Sequence, residues 1–583
     1  MNPKAFFGEL KRRNVYKVAV AYGVVGWLLI QVATQVFPFL EIPNWAIRLV
    51  ILVIAVGFPV ALLIAWAFEL TPEGLKRTDV ADAAQQHSPG GVWIVVVLVA
   101  ATLSLGLFFL GRYTAGRGTT QLSEVTAVVP GKSIAVLPLI NESGDPKDEY
   151  FSDGLSEELI AALAQISGLK VIGRSSSFRF KDRTEEPKTI GEKLGVSTLL
   201  EGTVRKQGDR VRIVAELINA ADGIEVWNRT FDHELKDIFA VQQEIAKAVA
   251  ESLRVTLLGS EEKSAQMATN SVEAHNAYLQ GHFYSVRRNA EDYRKAIDYF
   301  DQAIQLDPNY ALAYAERSEV WTVIGDLTGQ RSTAFPKARS DAEKAVAIAP
   351  SLAEAHAALG WVRAFTEWKF AEGLRELQRA KELSPANPTA NDLLARVIVY
   401  TGQMEEAERQ ARQAVELDPL SAATQFTLGR VLFYAGKLDE AYAAGRKLAE
   451  LQPSASSSRR WQVLVAVQRG DGETALREAQ LEPDDSIRPF ELALAQYVRG
   501  DRKAADAALA ELIANSRDGL AYQVAQVYAV RGEADKAFEW LQIAFDNHDG
   551  GMPSLLVDPL LAVLRDDPRY KNLVAKVGLA TTS

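Results

Sequence analysis

Cysteine is absent from all 583 residues of this sequence. Its absence excludes disulfide bridges, thiolate nucleophiles and zinc sites built from Cys, but it leaves the redox compartment open. Histidine is scarce as well: six residues are scattered along the chain, with no HExxH motif or carboxylate arrangement around them. We therefore expect neither a metal site nor any other cofactor.

An excess of positive charge is also missing, because the formal net charge is −10. Proteins that bind nucleic acids present clustered Lys and Arg to the phosphates, so we expect no nucleic-acid partner. With 48% hydrophobic and 24% charged residues, the composition is typical of folded protein. The length allows three or four domains.

Motifs of enzyme chemistry are lacking too. The run TAVVPGKS (126–133) ends like a phosphate-binding loop, but Thr126 stands where the first glycine belongs and the run precedes a predicted strand. Ser175, Ser176 and Ser177 follow a predicted strand without the glycine that completes a nucleophile elbow. The sequence thus predicts a protein that is not an enzyme.

Three uncharged apolar runs dominate the N-terminal part, at residues 18–37, 49–68 and 92–110. Each is long enough to cross about 30 Å of hydrocarbon as a helix, so we predict a membrane anchor over 18–110 with three transmembrane helices. Gln31 and Gln35 in the first run leave open whether it spans fully. No ionisable residue lies inside the runs, which favours an anchor over a transporter.

The flanking charges predict the orientation of this anchor. Lys and Arg are frequent in the N-terminal residues 1–17, which should therefore be cytoplasmic. Three crossings would place everything after residue 110 on the far side. We expect an integral, multi-pass protein of the bacterial inner membrane with periplasmic C-terminal domains.

A linker (111–132) is followed by alternating strands and helices over 133–258, which predicts a small α+β domain. In one strand Val211, Ile213 and Leu217 alternate with polar residues, so one face of the sheet should be packed. The candidate interaction surface of this domain combines acidic, basic and aromatic side chains: Asp145, Tyr150, Asp153, Glu157, Arg174, Phe178 and Trp227. Helix capping, solvation and core packing are the simpler roles for the same side chains.

Two strings in this domain are SIAVLPLINESGDPKDEYFSDGLSEELI (133–160) and LLEGTVRKQGDRVRIVAELINAADG (199–223). They resemble the TolB-like (FlgO-like) domain of bacterial membrane proteins that carry C-terminal tetratricopeptide repeats (TPRs). The resemblance implies contacts with envelope proteins. Relatives of this group commonly place a winged-helix DNA-binding domain or a class III adenylate cyclase domain in front. The first 110 residues leave room for neither, so we expect neither function here.

After a second linker (259–270), the spacing Ala-x3-large-x2-Ala-x4-Pro recurs, which is typical of the second helix of a TPR and its exit. Small residues let two helices approach closely, and proline ends a helix. We predict a solenoid of about eight repeats over 271–556 and a helical cap over 557–583. The predicted packing positions are Gly281, Ala296, Phe300, Ala303, Pro308, Ala338, Ala345, Pro350, Gly360, Ala380, Pro385, Ala407, Ala414, Pro419, Gly429, Ala441, Pro453, Ala537 and Ala544.

The predicted fold class is therefore three transmembrane helices, a small α+β domain and an all-α TPR solenoid. The predicted function is a membrane-anchored periplasmic scaffold or sensor that binds envelope proteins or peptides through the TPR groove and the TolB-like domain. The alternative is a transmembrane signalling protein that couples periplasmic sensing to a separate cytoplasmic effector. Whether the chain forms a homo-oligomer is left open.

Overall fold

The structure, a computed structural model, describes residues 132–166, 168–182, 184–253, 269, 271–287, 289–515 and 519–579, together with scattered positions between 22 and 77. Its contacts divide the chain into two compact units, Met1–Ser123 and Glu124–Ser583. The predicted N-terminus 1–17 and nearly all of the linkers 111–132 and 259–270 lie outside the described residues.

In the first unit, a short antiparallel hairpin joins β1 (Phe68–Thr71) to β2 (Gly74–Arg77). Isolated helical positions are described between residues 22 and 58. The hydroxyl of Tyr22 donates a hydrogen bond to the carbonyl of Ile54 at 2.9 Å, which ties two of these positions together.

The membrane predictions require a correction. Among the residues that the structure describes, no helix is both long and apolar enough to cross a bilayer. This finding contradicts the three predicted transmembrane helices and the predicted multi-pass inner-membrane location with periplasmic C-terminal domains. Most of 18–37 and 49–68, and all of 92–110, lie outside the described residues. An uncharged run fixes composition only, whereas a span also needs about 20 residues of continuous helix.

The second unit begins with a mixed sheet. Its strands are β3 (Ser133–Val136), β4 (Ile140–Asn141), β5 (Lys170–Val171), β6 (Thr198–Gln207), β7 (Arg210–Asn219) and β8 (Glu225–Glu234). The order is β5-β3-β6-β7-β8, with β4 added to β6. β3 is parallel to both of its neighbours, and β6, β7 and β8 form an antiparallel meander.

Helices cover both faces of this sheet. They are α1 (Glu149–Ala164), α2 (Arg174–Ser177), α3 (Pro187–Leu194) and α4 (Ile238–Ser252). Side chains alternate between the faces of a strand. Ile134 and Ile213 therefore pack with α1 and α4, whereas Ala135 and Leu137 pack with α3. We refer to residues 132–253 as the α/β domain.

Eight helical hairpins follow within the described part of 271–579, numbered here as repeats 1 to 8. Their helices are α5 (Val272–Ser285), α6 (Ala290–Leu306), α7 (Ala311–Leu327), α8 (Arg331–Ile348), α9 (Ala353–Trp361), α10 (Phe370–Leu383), α11 (Pro388–Tyr400), α12 (Met404–Leu417), α13 (Ala422–Tyr434), α14 (Leu438–Leu451), α15 (Arg460–Gln468), α16 (Gly472–Gln480), α17 (Arg488–Arg499), α18 (Arg502–Asn515), α19 (Ala521–Val530) and α20 (Ala534–Asp546). A C-terminal cap, residues 552–579, contains α21 (Pro568–Lys576).

The small residues of the repeat pattern lie where helices touch. Every alanine among the predicted packing positions is fully buried, as is Phe300 of α6. A Cβ added at Gly281 would lie 2.7 Å from the Phe300 ring, and one at Gly429 would lie 2.5 Å from the Trp461 ring. Such distances are shorter than van der Waals contact, so only glycine permits this approach of the two helices. The five prolines follow the second helices, in the loops between repeats.

The last repeat contacts the middle of the array. The Trp368 ring, between the two helices of repeat 3, stacks on His548 with centroids 3.7 Å apart and lies 5.5 Å from Phe545 of α20. A Cβ at Gly550 would lie 3.2 Å from Phe365. The array therefore curves until its C-terminal end meets repeat 3.

Candidate functional site

The first helices of repeats 1 and 2 hold helix α1 through ionised side chains. Glu157 of α1 forms ion pairs with Arg174 of α2 and with Nε2 of His282 in α5. The other ring nitrogen of His282, Nδ1, lies 2.6 Å from Glu316 of α7. His282 thus lies between two carboxylates, one from the α/β domain and one from the repeats. We call this interface the α1 contact.

A second ion pair lies beside the first. Glu158 of α1 contacts Nε2 of His275 at 2.6 Å, and this histidine is 1% exposed. The hydroxyl of Tyr278, one turn further along α5, donates to Glu316 at 2.8 Å. Buried charges are stable only when they are paired and hydrogen-bonded, which these groups satisfy for one another.

The pKa values follow from this pairing. Burial disfavours the charged imidazole of His282, but the carboxylates of Glu157 and Glu316 outweigh it and raise the pKa of His282 well above its ordinary value. Burial also opposes ionisation of Glu157, yet His282 and Arg174 hold the pKa of this carboxyl below its usual range. Both partners are therefore charged at neutral pH.

A separate contact joins the α/β domain to repeats 4 and 5. Asp418, between the two repeats, is 4% exposed and accepts hydrogen bonds from the backbone N–H of Ser176, at 2.7 Å, and from its hydroxyl. The same Ser176 hydroxyl accepts a bond from the N–H of Leu420 at 2.8 Å. Further out, Arg179 donates to the carbonyl of Leu451 at 3.2 Å. The domain is therefore bound at two separate places on the array.

The structure gathers part of the predicted interaction surface at this domain–repeat boundary. Glu157 and Arg174 belong to the α1 contact, and the Arg174 guanidinium lies 4.3 Å from the Phe178 ring. Asp153 pairs with Lys181 at 2.7 Å.

The other predicted surface residues lie elsewhere on the α/β domain. Asp145 caps a short 3₁₀ turn, and Tyr150 is half-buried beside Lys206. Trp227 lies on the edge strand β8 near Arg229. The surface is therefore not one patch, and its best-defined part contacts the chain's own repeats.

The sequence analysis did not single out a row of arginines on the central repeats. We define the inner face as the side of the first helices on which α1 and the cap lie. Tyr434 of α13 lines a cleft on this face with Leu556 of the cap. Arg430 is one turn before Tyr434, so both project from the same side of α13. The signal for this pair in the sequence is the spacing of 34 residues between Arg396 and Arg430, which equals the period of the repeats.

These arginines lie against aromatic rings. Arg396 of α11 is 4.2 Å from the Trp361 ring, and Arg430 is 5.1 Å from the Phe426 ring and donates to the Tyr400 hydroxyl at 2.7 Å. Arg460 begins α15, the next first helix along the array. We call Arg396, Arg430 and Arg460 the arginine ladder. All three are half-buried.

A cleft of about 430 Å³ lies between α10, α11 and α12, with Leu374, Leu394 and Ile398 in its lining. Lys381 at this cleft donates to the side chains of Gln410 and Gln413. Within the described residues, no group of three His, Cys, Asp or Glu side chains could hold a metal ion.

Comparison with known families gives a match for each part of the second unit. Residues 130–248 match the family described as HilA/YgeH-like transcriptional regulator, second domain. Residues 285–310 match the tetratricopeptide repeat family. The chain contains tetratricopeptide repeats. The TPR prediction is confirmed, whereas the TolB-like assignment of the α/β domain stays a prediction.

Among curated proteins, a candidate adenylate cyclase 3 of Rhizobium meliloti (strain 1021) is 35% identical over 249 residues, covering 41% of this chain and 42% of that protein. The chain thus matches less than half the length of this relative. Solved structures with similarity include pilF of Pseudomonas aeruginosa (20% identity, 38% of this chain and 98% of that chain, TM-score 0.30). Another is YrrB, a TPR protein with an unusual peptide-binding site (20%, 36% and 96%, TM-score 0.25). Both TM-scores are low, and neither structure assigns a function here.

Proposed function

We propose that this chain is a non-catalytic interaction scaffold that binds a protein or peptide partner on the inner face of repeats 3 to 6. Stacked helical hairpins form extended surfaces suited to peptides and protein segments. The family match over residues 285–310 and the eight hairpins support this class of function.

One observation carries the choice of surface. On repeat 1 the inner face is covered by α1, whose Glu157 pairs with His282, and His282 in turn contacts Glu316 of repeat 2. On repeat 5 the same face carries Arg430 and Phe426, which are only half-buried. Arginine and aromatic side chains are enriched at the energetic centres of protein interfaces. The central repeats thus present arginine and aromatic side chains on the face that α1 covers at the start of the array.

The α/β domain has a supporting role in this proposal. It resembles TolB-like domains, and its family match is to the second domain of transcriptional regulators. Because it is bound to repeats 1 and 2 at the α1 contact and to repeats 4 and 5 at Asp418, it fixes the relative positions of these repeats. Pre-organisation of this kind lowers the entropy cost of binding a partner.

A non-catalytic role is supported by the arrangement of the buried ionisable groups. Glu157, His282 and Glu316 pair with one another, as do Glu158 and His275. These pairs give each carboxylate and imidazole of the α1 contact a partner within the chain. They hold two parts of the chain together and need no substrate to explain them.

Site-specific photocross-linking tests the proposal. A benzoylphenylalanine at Phe426, on the inner face of repeat 5, should cross-link the full chain to a partner in the cells that naturally contain it. Tyr442 in α14 is the matched control, because it is also a half-buried aromatic side chain of repeat 5 but lies on the second helix. A partner adduct from Phe426 and none from Tyr442 is expected. Equal adducts from both positions, or none from Phe426, would contradict the proposed surface.

A further inference from the structure

We propose that the cleft between α10 and α12 binds an extended protein segment that carries a large apolar side chain and, about three residues away, a carboxylate. We call it the α10–α12 cleft; it lies between repeats 3 and 4, and the second helices of these repeats form its rim. The inference goes beyond the proposed function, which concerns the inner face. It follows from an apolar floor at one end of the cleft and an ammonium group at the other.

The apolar part of the α10–α12 cleft is formed by three side chains. Leu394 and Ile398 of α11 are 3% and 4% exposed and form the floor, and Leu374 of α10 is half-buried at the rim. Leu394 and Ile398 are four residues apart, so they lie on the same side of their helix. The volume of about 430 Å³ is within the range of about 300–1,000 Å³ that is usual for ligand pockets. An apolar side chain of a partner can therefore be buried here.

A lysine of this cleft stands at a position that is apolar in the neighbouring repeats. Lys381 lies four residues before Pro385, the proline that follows the second helix of repeat 3. The residues four positions before the corresponding prolines of repeats 2, 4 and 5 are Val346, Val415 and Ala449. Packing between second helices explains a valine or an alanine there, but not an ammonium group, whose burial is unfavourable. A residue that departs from its local pattern without a structural gain is typical of functional sites.

The charge of Lys381 lacks an anionic partner. Within the described part of the chain, its ammonium group donates to the side-chain oxygens of Gln410 and Gln413 and has no carboxylate at ion-pair distance. Burial and the nearby Arg409 lower the pKa of Lys381, as expected where no anion compensates a positive charge. Amide oxygens accept its hydrogen bonds without neutralising it. A carboxylate that reached this end of the cleft would form a charge-assisted hydrogen bond with the lysine.

The acidic residues that line the cleft do not cancel this charge. Glu382 lies 3.0 Å from Arg379, and Glu406 pairs with Arg409. Each carboxylate therefore has an arginine of its own helix as its partner. Of the charged side chains that line the cleft, Lys381 is the one left without an opposite charge among the residues that the structure describes. The polar end of the cleft is therefore positive.

The distance between the two ends sets the spacing in the ligand. Leu374, Gln378 and Lys381 follow one another at four and three residues, so they line one side of α10. Leu374 and Lys381 are seven residues apart, which corresponds to about 10 Å along a helix. In an extended chain of the polyproline II type, side chains three residues apart lie on the same side and about 9 Å from one another. Such a segment would place an apolar side chain on the floor and a Glu or Asp at the lysine.

Fluorescence anisotropy with the purified full chain tests this inference. The probes are two labelled peptides with Leu and Glu three residues apart in a background of Ser and Pro, one in each order. The control peptides replace Glu with Gln or Leu with Ser. We expect one of the two orders to bind at least about tenfold more tightly than both of its controls, with an affinity that falls as salt rises.

Two substitutions locate the site. Lys381→Met removes the charge and keeps the length of the side chain, and Gln378→Glu adds a negative charge at an exposed position of the same side of the cleft. Each should weaken binding by about tenfold. Lys447→Met is the matched control, because Lys447 is also on a second helix, α14, but outside the cleft. Circular dichroism checks that each variant is folded, and two cleft variants are made so that one misfolded protein does not decide the result.

Equal binding of both Leu–Glu peptides and their controls, or unchanged binding in the folded cleft variants, would overturn the proposal. Cross-linking at Phe426 tests the inner face independently. If Phe426 forms its adduct and the peptides fail to bind, the scaffold function stands and only the inference about the α10–α12 cleft is wrong. If neither result is obtained, both proposals fail.

Discussion

Replacing His282 with alanine should release helix α1 from the first two repeats. The imidazolium lies between Glu157 and Glu316, whose side chains are 15% and 20% exposed. Removing one partner of a buried ion pair costs about 3–5 kcal/mol because a buried charge loses its compensation. Arg174 remains paired with Glu157, so we expect the lower end, about 3 kcal/mol, in the free energy of opening the α1 contact.

Native-state hydrogen exchange measures this opening directly. Because each 1.4 kcal/mol is a factor of ten, the amides of α1 should exchange about a hundredfold faster in His282→Ala. His356→Ala is the matched control: His356 is 8% exposed and lies 2.7 Å from Glu376, so it also loses a buried His–Glu pair. That pair lies entirely within repeat 3 and should leave exchange in α1 unchanged.

A double-mutant cycle isolates the pair that joins the two parts of the chain. Glu157→Gln and His282→Gln should show a coupling energy of about 1–3 kcal/mol, since the two side chains are in direct contact. Our reasoning is refuted if α1 exchanges no faster in His282→Ala than in the His356 control, or if the cycle gives no coupling.

Three further predictions follow from the same contacts. The α1 contact should weaken as pH rises above neutral. Because the pKa of His282 is raised in the folded state, the stabilisation from its charge is complete below the ordinary value of about 6.5 and is lost as pH rises through the higher folded value. Hydrogen exchange of the α1 amides, measured against pH, checks this. Gly429→Ala should lower the free energy of unfolding in urea by about 1–3 kcal/mol, because the new Cβ would lie 2.5 Å from the Trp461 ring. An alanine at an exposed site on the second helix of a repeat is the control and should change this free energy by less than about 0.5 kcal/mol. Trp368→Ala removes the ring stacked on His548 and should separate the C-terminal end of the array from repeat 3, seen as a larger radius of gyration by X-ray scattering; an unchanged radius would contradict this role.

The repeat region was predictable because its signal is local. Ala296, Phe300 and Ala303 lie on one helix, and their spacing alone places small and large side chains on the packed side. The alternation of Val211 and Ile213 with polar residues likewise gave the buried face of β7. Such patterns depend only on the period of a helix or strand, so one sequence suffices to recognise them.

The candidate site was not predictable in the same way, because its contacts are long-range. Glu158 and His275 are 117 positions apart, and Ser176 and Asp418 are 242 apart. Nothing in the sequence near Glu157 indicates that its partner is a histidine of the first repeat. Asp153 and Glu157 of α1 were candidate interaction residues, with helix capping and solvation as their simpler roles, but that the partner of Glu157 is the chain itself could be read only from the fold.

The membrane prediction failed for a different reason. It inferred continuous helices from the absence of charge in three runs, and the described part of the chain contains no helix that meets both requirements of length and apolarity. The hairpin of β1 and β2 begins at Phe68, the last residue of the second run. Apolar composition therefore did not determine the local backbone at that end.

The measurement that tests this account most directly is a cross-link between the α/β domain and the repeats. Because the chain has no cysteine, Arg179→Cys with Leu451→Cys introduces a single pair whose reaction with a short bismaleimide is unambiguous. Arg179 donates to the carbonyl of Leu451 at 3.2 Å, so we predict an efficient cross-link within one chain. Arg179→Cys with Lys536→Cys on α20 is the control and should not react. Absence of the first cross-link, or equal reaction of both pairs, would contradict the docking of the α/β domain on the repeat array.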